Sequence, residues 1–472
     1  GNHSSRIGGK HSTVTHSDGR TEETFPRSYW PGDAPLDHVV FALKHEPVSL
    51  DLLYQVFGQL SKNEVDTFIR KSPSGIYARR IGFLYEQLTG IELAAKVKGN
   101  FVPVLDKKRY FVGKERRNAR WRVRDNLLGT AGFCPIIRRT PTLLAYLKSD
   151  LAAEIREVSA NTNPTLLARA IQYLYRKETK ASFEIEKESV GGTREERFLR
   201  VLEQVGSTTS ENLLSEERLV RLQRIIVDAR YANDAYRTNQ NYVGEVLPNL
   251  SERVHYISPP PLLVRTLMAG LKTFMQRSLD IPSPIRAAVA SFGFVYVHPF
   301  EDGNGRLHRL LLHETLAHDG YTDRGIVLPL SSGMLRDPIT YDRVLESFSE
   351  TVLGRVRYEM DGKGRLTVTN PNEIDGVWRY PDLTMHAEYV YSLIETAVRH
   401  DLPTELDVLV RFDRAAKAIA EVVDLPNRKQ QLMLKLLHQN GGSLSKKKRV
   451  SEFPELTDEE LIQIEEAFSS AF

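Results

Sequence analysis

The sequence has few of the features that mark secreted or membrane proteins. Its 472 residues contain a single cysteine, Cys134, so the chain cannot form an internal disulfide. No apolar run approaches the roughly 20 residues that would span a bilayer, and the first residues are polar, with no signal-peptide core. These absences predict a cytoplasmic protein without a membrane partner.

The chain also has no large excess of charge of either sign. It has 64 lysines and arginines against 61 aspartates and glutamates, a net charge of +3. This balance gives no reason to expect nucleic acid as a partner of the whole chain. Two local basic segments, Lys107 to Arg124 and Lys446 to Arg449, keep that alternative open, although such runs are more often solvated surface.

The hydrophobic pattern is helical over most of the chain. Apolar residues recur at three- and four-residue spacing from Pro35 onward, and strands do not alternate with helices as a parallel sheet requires. The predicted fold class is therefore mainly α. Residues 1–34 are polar and aperiodic, which predicts a flexible tail. The predicted domains after it are an N-terminal helical domain at 35–178, a core domain at 179–353 and a C-terminal helical domain at 354–472.

Two segments break the helical pattern. Residues 241–257 hold two β-prone runs around a polar connection, which predicts a hairpin. Residues 357–369 hold two such runs around a connection with glycine at positions 362 and 364. Glycine permits the positive φ of a tight turn, so a second hairpin is predicted at the start of the C-terminal domain.

One stretch stands apart in its chemistry, residues 298–309, with the sequence HPFEDGNGRLHR. Upstream of it, Ser283 predicts the N-cap of a buried helix. Pro299 ends that helix and leaves His298 at its C-terminal edge. A second helix is predicted to begin after Gly305. The stretch is therefore predicted to be a tight loop between two helices.

The glycines and arginines of this loop suit a polyphosphate. Gly303 and Gly305 leave backbone N–H groups open to an anion, at a helix N-terminus that favours negative charge. Arg306 and Arg309 are three residues apart, so both guanidinium groups can reach one polyphosphate from the same helix face.

Two further side chains supply the rest of the chemistry. Asp302 offers an oxygen ligand for a Mg²⁺ ion that bridges phosphates, and His298 can take a proton near neutral pH. Together with the anion-binding residues, they predict a site of phosphoryl or nucleotidyl transfer.

A zinc site is not expected beside it. His313 and His318 are five residues apart rather than the four of the zinc-protease motif, so they diverge around the helix.

The run from His298 to Arg309 is similar, without a mismatch, to the signature of the Fic-domain family, His-x-Phe-x-Asp/Glu-Gly-Asn-Gly-Arg-x-x-Arg. A weaker similarity extends from about Thr179 to Val352. The resemblance implies a Fic-type helical bundle with a β-hairpin flap. It also implies Mg²⁺-dependent transfer of AMP from ATP to a hydroxyl group of a target protein, or of the chain itself.

The resemblance implies a role for each signature residue. His298 would take the proton from a Ser, Thr or Tyr hydroxyl of the target. Phe300 would anchor the loop, and Asp302 would hold Mg²⁺. The phosphates of ATP would be bound by Gly303, Asn304, Gly305, Arg306 and Arg309. The target would bind the flap through Asn241, Tyr242, Val243, Gly244, His255, Tyr256 and Ile257.

A second family feature lies upstream. Ser182 and Glu186 resemble the Ser/Thr-x-x-x-Glu-Gly/Asn motif of the family's inhibitory helix, and their spacing of four places them on one helix face. The resemblance implies that Glu186 pairs with Arg309 and obstructs the γ-phosphate of ATP. Lys187 departs from the motif, since the family has glycine or asparagine there.

Two alternatives stay open. Some Fic relatives remove AMP from proteins and others transfer a phosphoryl group. Glu186 keeps AMP removal open, whereas the intact sequence of residues 303–305 favours adenylylation over kinase chemistry. The other alternative is a protein that binds nucleic acid or an acidic partner through its basic segments.

Overall fold

The protein is mainly helical, as predicted, with four small β-sheets in the residues that the structure describes. These residues of the computed structural model are 3–16, 21–188, 192–209, 211–248, 252–361 and 364–472. Their buried apolar side chains form three separate cores. Among the described helices, none combines the length and the apolar character needed to cross a bilayer.

The N-terminal region builds one core from helices and short strands. Its elements are β1 (His3–Gly8), β2 (Ser12–Thr15), β3 (Thr21–Pro26), α1 (Pro35–His45), α2 (Leu50–Gln59), α3 (Lys62–Lys71), α4 (Ile76–Thr89), β4 (Val102–Pro103), β5 (Arg116–Asn118) and β6 (Val123–Asp125). Phe57 of α2 and Leu84 of α4 lie in this core with Trp121. A Cβ at Gly82 would overlap the Trp121 ring, so glycine allows the indole to lie against α4.

The first three strands show that the prediction of a flexible tail is wrong for most of residues 1–34. Strand β3 lies between β1 and β2, parallel to the first and antiparallel to the second. Phe25 at the end of β3 is buried and contacts Phe41 and His45 of α1. The segment is so polar that this single apolar anchor gave no periodic signal. Residues 1–2 and 17–20 lie outside the described part of the chain.

The middle region is the helical bundle that carries the predicted loop. Its elements are α5 (Pro141–Tyr146), α6 (Leu151–Asn161), α7 (Pro164–Ile185), α8 (Thr193–Glu203), α9 (Glu216–Ile226), β7 (Tyr242–Val246), β8 (Glu252–Ile257), α10 (Pro261–Arg277), α11 (Ser283–Val297), α12 (Asn304–His318), α13 (Leu330–Arg336) and α14 (Pro338–Leu353). Strands β7 and β8 pair antiparallel, which confirms the first predicted hairpin.

Helix α11 lies at the centre of the bundle. Almost all of its side chains are buried, and it packs closely against α10 and α12. The predicted cap at Ser283 is wrong, because Pro282 occupies the N-cap position and Ser283 is the first helical residue. Since α11 is fixed on all sides, its C-terminal end gives the following loop a rigid starting point.

The main core reaches into the C-terminal region. The elements there are β9 (Tyr358–Met360), β10 (Leu366–Val368), α15 (Pro371–Ile374), α16 (Gly376–Arg379), α17 (Thr384–Thr396), α18 (Leu402–Val422), α19 (Asn427–Gln439), α20 (Lys446–Glu452) and α21 (Asp458–Ala471). The antiparallel pair β9–β10 confirms the second hairpin, whose residues 362–363 lie outside the described part.

The boundary predicted at residue 353 does not separate two cores. Leu366 of β10 and Val390 of α17 belong to the same core as α11. A separate core, formed by residues such as Ile419, Phe453 and Phe468, begins only with α18. The second hairpin is a change of secondary structure along the chain, whereas the apolar core continues past it and includes α17.

A buried carboxylate fixes α7 to the bundle. Glu178 is 1% exposed and accepts hydrogen bonds from the backbone N–H of Ser331, at 2.8 Å, and from the Ser331 hydroxyl. His313 Nε2 of α12 lies 2.8 Å from its Oε1. Ser182 and Glu186 follow Glu178 at four-residue intervals, so all three side chains lie on the same face of α7. The contact of Glu178 therefore also fixes the positions at which Ser182 and Glu186 contact α12.

We expect Glu178→Ala to lower the free energy of unfolding by roughly 1–3 kcal/mol, because it leaves the Ser331 N–H and His313 without their buried partner. Urea unfolding monitored by tryptophan fluorescence measures the change. Glu184→Ala is the matched control, since Glu184 is exposed on the same helix. Equal losses in the two variants would contradict the anchoring role of Glu178.

Candidate active site

His298 ends α11 in a left-handed backbone conformation, with φ 50° and ψ 59°. Few residues other than glycine hold this conformation, and it turns the chain sharply out of the helix. Two residues later, Phe300 is fully buried and its ring contacts Tyr236 and Phe294. The loop is thus held to the core immediately after the histidine.

Among the described residues, Nδ1 of the His298 imidazole has a hydrogen-bond partner and Nε2 is open. Nδ1 lies 3.0 Å from the carbonyl oxygen of Val295. Because a carbonyl only accepts hydrogen bonds, the proton lies on Nδ1 and Nε2 carries the lone pair. Burial lowers the pKa of His298 to about 4 despite the hydrogen bond to Val295, and the charge of Arg237 acts in the same direction. The ring is therefore neutral at pH 7, and Nε2 can accept a proton.

The side chain of Asn304 closes the loop. Its Oδ1 accepts a hydrogen bond from the Phe300 N–H at 3.0 Å, and its Nδ2 donates to the Phe300 carbonyl at 2.9 Å. The amide of Asn241 donates to the same carbonyl at 3.1 Å. Asn304 therefore uses its side chain on the loop itself, and only its backbone N–H, in the first turn of α12, faces an anion.

The two glycines of the loop are needed for different reasons. Gly303 has φ 85°, a conformation that favours glycine, and a Cβ there would lie 2.8 Å from Val227. Gly305 is helical, but a Cβ there would overlap Oε1 of Glu186. The Glu186 carboxylate thus lies against the backbone at the N-terminus of α12, where unpaired N–H groups and the helix dipole attract an anion.

Arg309 is bound by α7. It is 1% exposed; its Nε donates to Ser182 Oγ at 2.9 Å, and its Nη2 donates to the Ser182 carbonyl at 2.7 Å and to Glu186 Oε1 at 2.8 Å. Burial alone would raise the pKa of Glu186, but the charge and hydrogen bond of Arg309, with the charge of Arg306, outweigh it and keep that pKa low. The carboxylate is therefore an anion at neutral pH.

Arg306 is bound by a second carboxylate, which the sequence did not single out. Its two terminal nitrogens lie 2.9 and 3.1 Å from the two oxygens of Glu188, a bidentate pair. Glu188 also pairs with Arg194 at 3.1 Å. The Arg306 guanidinium lies over the ring of Phe183, 5.3 Å from its centroid, and is 1% exposed.

The C-terminal turn of α7 directs both carboxylates to the loop. The N–H of Lys187 donates to the Glu184 carbonyl at 2.9 Å, and that of Glu188 to the Phe183 carbonyl at 3.2 Å, the two bonds of a Schellman motif. Lys187 holds the left-handed position of this motif with φ 57°. Glycine or asparagine holds it with less strain, which accounts for the family's preference. The lysine leaves the turn intact.

Asp302 fits a divalent cation that shares its coordination with a ligand. Its Oδ1 accepts hydrogen bonds from the Gly303 N–H at 2.6 Å and from Arg306 at 3.1 Å. The side chain is 43% exposed, and both contacts use Oδ1 rather than Oδ2. One carboxylate with substrate phosphates and water is the usual donor set of Mg²⁺. In the described residues, no group of three His, Cys, Asp or Glu side chains could hold a metal by itself.

The histidines of the rejected zinc motif have different partners. His313 faces Glu178 in the core, and the Nδ1 atom of His318 lies 3.2 Å from Asp319. Glu314 between them pairs with the buried Arg218. The five-residue spacing separates the two rings, as predicted.

The predicted flap residues differ in exposure. Val243 is exposed, Gly244 and His255 face solvent, and Asn241 and Tyr242 are half-buried. The side chains of Tyr256 and Ile257 do not face solvent, since Tyr256 is 7% exposed and Ile257 is fully buried. These residues form the end of β8, where the strand enters the core, and the Tyr256 hydroxyl donates to the Tyr296 carbonyl.

Gln223 holds the loop through its side chain, a role that was not predicted from the sequence. It is fully buried on α9, and its Nε2 donates to the Asp302 carbonyl at 3.2 Å and to Asn233 Oδ1 at 3.1 Å. Its Oε1 accepts from the Asn233 N–H at 2.9 Å. A signal was present, because Gln223 occupies an apolar position beside Leu219 and Ile226 on the buried face of α9.

The fold and the site define a helical protein with an anion-binding loop between two core helices. The loop offers a neutral histidine, a helix N-terminus and two buried arginines. Residues 213–316, from just before α9 to near the end of α12, match the model of the Fic/DOC family. This part of the chain is therefore a Fic domain.

Several known proteins share part of this chain. Protein adenylyltransferase fic-1 of Caenorhabditis briggsae is 29% identical over 174 residues, which are 34% of this chain and 31% of that protein. The protein of the same name from Caenorhabditis elegans is 35% identical over 101 residues, 20% of this chain and 17% of that protein. The chain thus spans less than a third of the length of these curated relatives.

Two solved structures are similar in part. A Fic family protein from Desulfovibrio desulfuricans G20 has a TM-score of 0.39 and 19% identity, over 66% of this chain and 86% of that one. A Fic domain containing signaling protein from Bacteroides thetaiotaomicron has a TM-score of 0.39 and 18% identity, over 55% of this chain and 97% of that one.

We expect His298 to titrate with a pKa of about 4 and to carry its proton on Nδ1 above that pH. Nitrogen-15 NMR of the histidine-labelled protein measures both the tautomer and the pKa, and His298→Ala identifies the signals. A ring that titrates near the ordinary value of about 6.5 would contradict the buried environment described here.

Proposed function

We propose that this protein transfers AMP from ATP to a hydroxyl group of a target protein. The observation that carries the proposal is the geometry of one loop: His298, neutral and with Nε2 open, precedes a helix N-terminus that holds two buried arginines. The Fic domain, and relatives that are named protein adenylyltransferases, support the same chemistry.

The first-turn N–H groups of α12 and the two arginines would bind the phosphates of ATP. Arg306 would hold the β-phosphate and Arg309 the γ-phosphate, since a guanidinium group can donate two parallel hydrogen bonds to one phosphate. With the terminal phosphates fixed in this way, the α-phosphate would be the one directed toward the open Nε2 of His298. Binding energy at the far end of the nucleotide thereby orients the reacting end.

His298 would act as the general base. Nε2 takes the proton of the target hydroxyl as its oxygen bonds to the α-phosphorus, and the bond to the bridging oxygen of the β-phosphate breaks. Pyrophosphate leaves with the electron pair of that bond. Because burial keeps the pKa of His298 at about 4, the lone pair is free at neutral pH.

Asp302 would hold Mg²⁺ through Oδ2, the oxygen that its two contacts do not use. The ion, when bound, neutralises the charge that develops on the phosphates. The carboxylate is already fixed by the Gly303 N–H, so its orientation toward the loop does not depend on the ligand.

The flap would hold the target as an added strand. The pair β7–β8 is two-stranded, so the outer edge of β7 has backbone N–H and C=O groups available for pairing. Val243 and Val246 on β7 are 42% and 64% exposed and offer apolar contacts. An extended segment with a Ser, Thr or Tyr hydroxyl fits this edge, and a segment of a second copy of the chain would give self-modification.

Glu186 would inhibit the reaction by competing with ATP for Arg309. The carboxylate is charged, lies at the anion-binding helix N-terminus and occupies the guanidinium needed by the γ-phosphate. Glu188 adds a second such contact on Arg306. ATP would therefore have to displace two ion pairs to bind with all its phosphates in place.

Removal of AMP from a modified protein is a second candidate. Glu186 is an anion, its side chain is one-third exposed, and its charge is felt by His298. A carboxylate in that position can take a proton from water that attacks a bound AMP ester.

The basic segment offers less support for nucleic-acid binding, because Arg120 and Arg124 are paired with Glu86 and Glu115.

We expect Glu186→Gly to raise AMP transfer by at least ~10-fold, because it frees Arg309 for the nucleotide. His298→Ala in that background should lower the rate by about 10²–10⁴-fold through loss of the base. Incubation with Mg²⁺ and α-labelled ATP, followed by intact mass and by counting of the label, measures both. Addition of EDTA should abolish the transfer.

The controls separate the reactions. Glu184→Ala removes an exposed carboxylate from the same helix without weakening its last turn, and should leave the rate near that of the wild type. Undiminished transfer by His298→Ala would overturn its role as base. Label from γ-labelled ATP would indicate phosphoryl transfer instead. Loss of AMP from a previously modified protein would indicate AMP removal.

We expect Glu188→Gln to tighten the binding of ATP by several-fold, because it removes a bidentate competitor from Arg306. Calorimetric titration with ATP and Mg²⁺ measures the dissociation constant, and Glu186→Gly combined with Glu188→Gln should bind more tightly than either variant alone. Glu196→Gln, exposed on α8, is the control for net charge. Equal affinities of wild type and Glu188→Gln would show that the Glu188 contact does not oppose the nucleotide.

A further inference from the structure

Arg237 is a buried cation whose side-chain hydrogen bonds all go to backbone carbonyls in the described structure. It is 4% exposed. Nε donates to the His298 carbonyl at 2.7 Å and Nη1 to that of Asn239 at 2.8 Å. Nη2 donates to the carbonyls of Pro259, at 2.7 Å, and Val297, at 3.4 Å. Burial lowers the pKa of Arg237 to about 10, so the group is still charged at neutral pH.

The contacts of this guanidinium join parts of the site that are far apart in sequence. Val297 and His298 form the C-terminal end of α11, whose carbonyls have no partner within the helix. A cation is favoured there by the helix dipole. Asn239 and Pro259 flank the flap hairpin on its two sides. One planar group thus binds the end of α11 and both ends of the flap.

The backbone of Arg237 adds to the same connection. Its N–H donates to the Pro299 carbonyl at 2.8 Å. With the side chain, it fixes three consecutive residues of the chain, 297–299, around the left-handed turn at His298. A non-glycine residue in that conformation is strained, and it persists only where its surroundings hold it. The contacts of Arg237 hold this turn together with the buried Phe300 and the hydrogen bonds of Asn304.

We propose that Arg237 is a positioning residue that holds His298 at a fixed distance and angle from the flap, so that a hydroxyl on a flap-bound segment meets Nε2. The proposal rests on the role of His298 as the base. It assigns to Arg237 a function that goes beyond stabilising the fold, because a cation beside the imidazole also opposes its protonation.

The charged groups that face His298 allow the two roles to be separated. Arg237 is the cation among them, and Glu186 and Asp302 are the anions. The anions favour the imidazolium form and Arg237 disfavours it. Removing the charge of Arg237 therefore leaves two anions unopposed and moves the titration of His298 to higher pH. A role in stability alone would not move it.

The test compares Arg237→Lys, which keeps the charge but loses the planar fork, with Arg237→Gln, which loses the charge but keeps an N–H donor. Nitrogen-15 NMR of histidine gives the pKa of His298, and α-labelled ATP gives the transfer rate against pH in the Glu186→Gly background. Arg79→Lys is the matched control, since Arg79 is also buried and also donates to carbonyls, those of Gly75 and Asn100.

We expect both Arg237 variants to lower the transfer rate at pH 7 by about 10²-fold through misplacement of the base. The pKa of His298 should rise in Arg237→Gln and stay unchanged in Arg237→Lys, and Arg79→Lys should change neither quantity. An unchanged pKa in Arg237→Gln, or a rate within about twofold of the reference in Arg237→Lys, would overturn the proposal. If the Glu186→Gly reference itself transfers no AMP, the proposed function fails, and the titration still decides the link between Arg237 and His298.

Discussion

The site depends on how a six-residue connection between two buried helices satisfies its own backbone polar groups. The chain leaves α11 and enters α12 inside the core, where an unpaired N–H or C=O group is costly. Asn304 bonds both backbone groups of Phe300, Gln223 bonds the Asp302 carbonyl, and Arg237 bonds that of His298. With these partners in place, the loop has one conformation, and the imidazole and the helix N-terminus face the same space.

Because the two arginines of the cleft are also buried, their charges must be balanced by nearby anions. Arg306 and Arg309 are each 1% exposed, so neither can be left without an anionic partner at low cost. In this structure Arg306 pairs with Glu188 and Asp302, and Arg309 pairs with Glu186. Under the proposed function, phosphates from solution would be an alternative to the carboxylates of α7 and its C-terminal turn. Both sets of anions would satisfy the same guanidinium groups, so they would exclude each other.

The sequence predicted those parts of the molecule that local rules govern. The end of α11 at His298 follows from Pro299, and the two hairpins follow from β-prone runs around turn residues. The partners that distant segments find in the fold had no local signal, although the place of Gln223 on an apolar helix face indicated that it is buried. Glu188 and Gln223 meet the loop only through tertiary packing, and Phe25 fixes a polar segment by one contact with α1. The core boundary was misplaced for the same reason, because packing of α17 on α11 is a property of the folded chain.

Helix α7 is fixed to the bundle at Glu178, and its C-terminal end contacts the arginines of the loop. Glu178 is fixed in the core two turns before Glu186, whereas residues 186–188 lie beyond the helix, in a Schellman turn with a strained Lys187, and are held by ion pairs with arginines. Under the proposed inhibition by Glu186, the arginines would change partners by unwinding of this last turn alone, without movement of the helix. The free-energy difference between the closed and the open cleft would then be that of one turn and its ion pairs, and the relaxation of Lys187 would favour the open form. A switch of this size would need no rearrangement of the bundle.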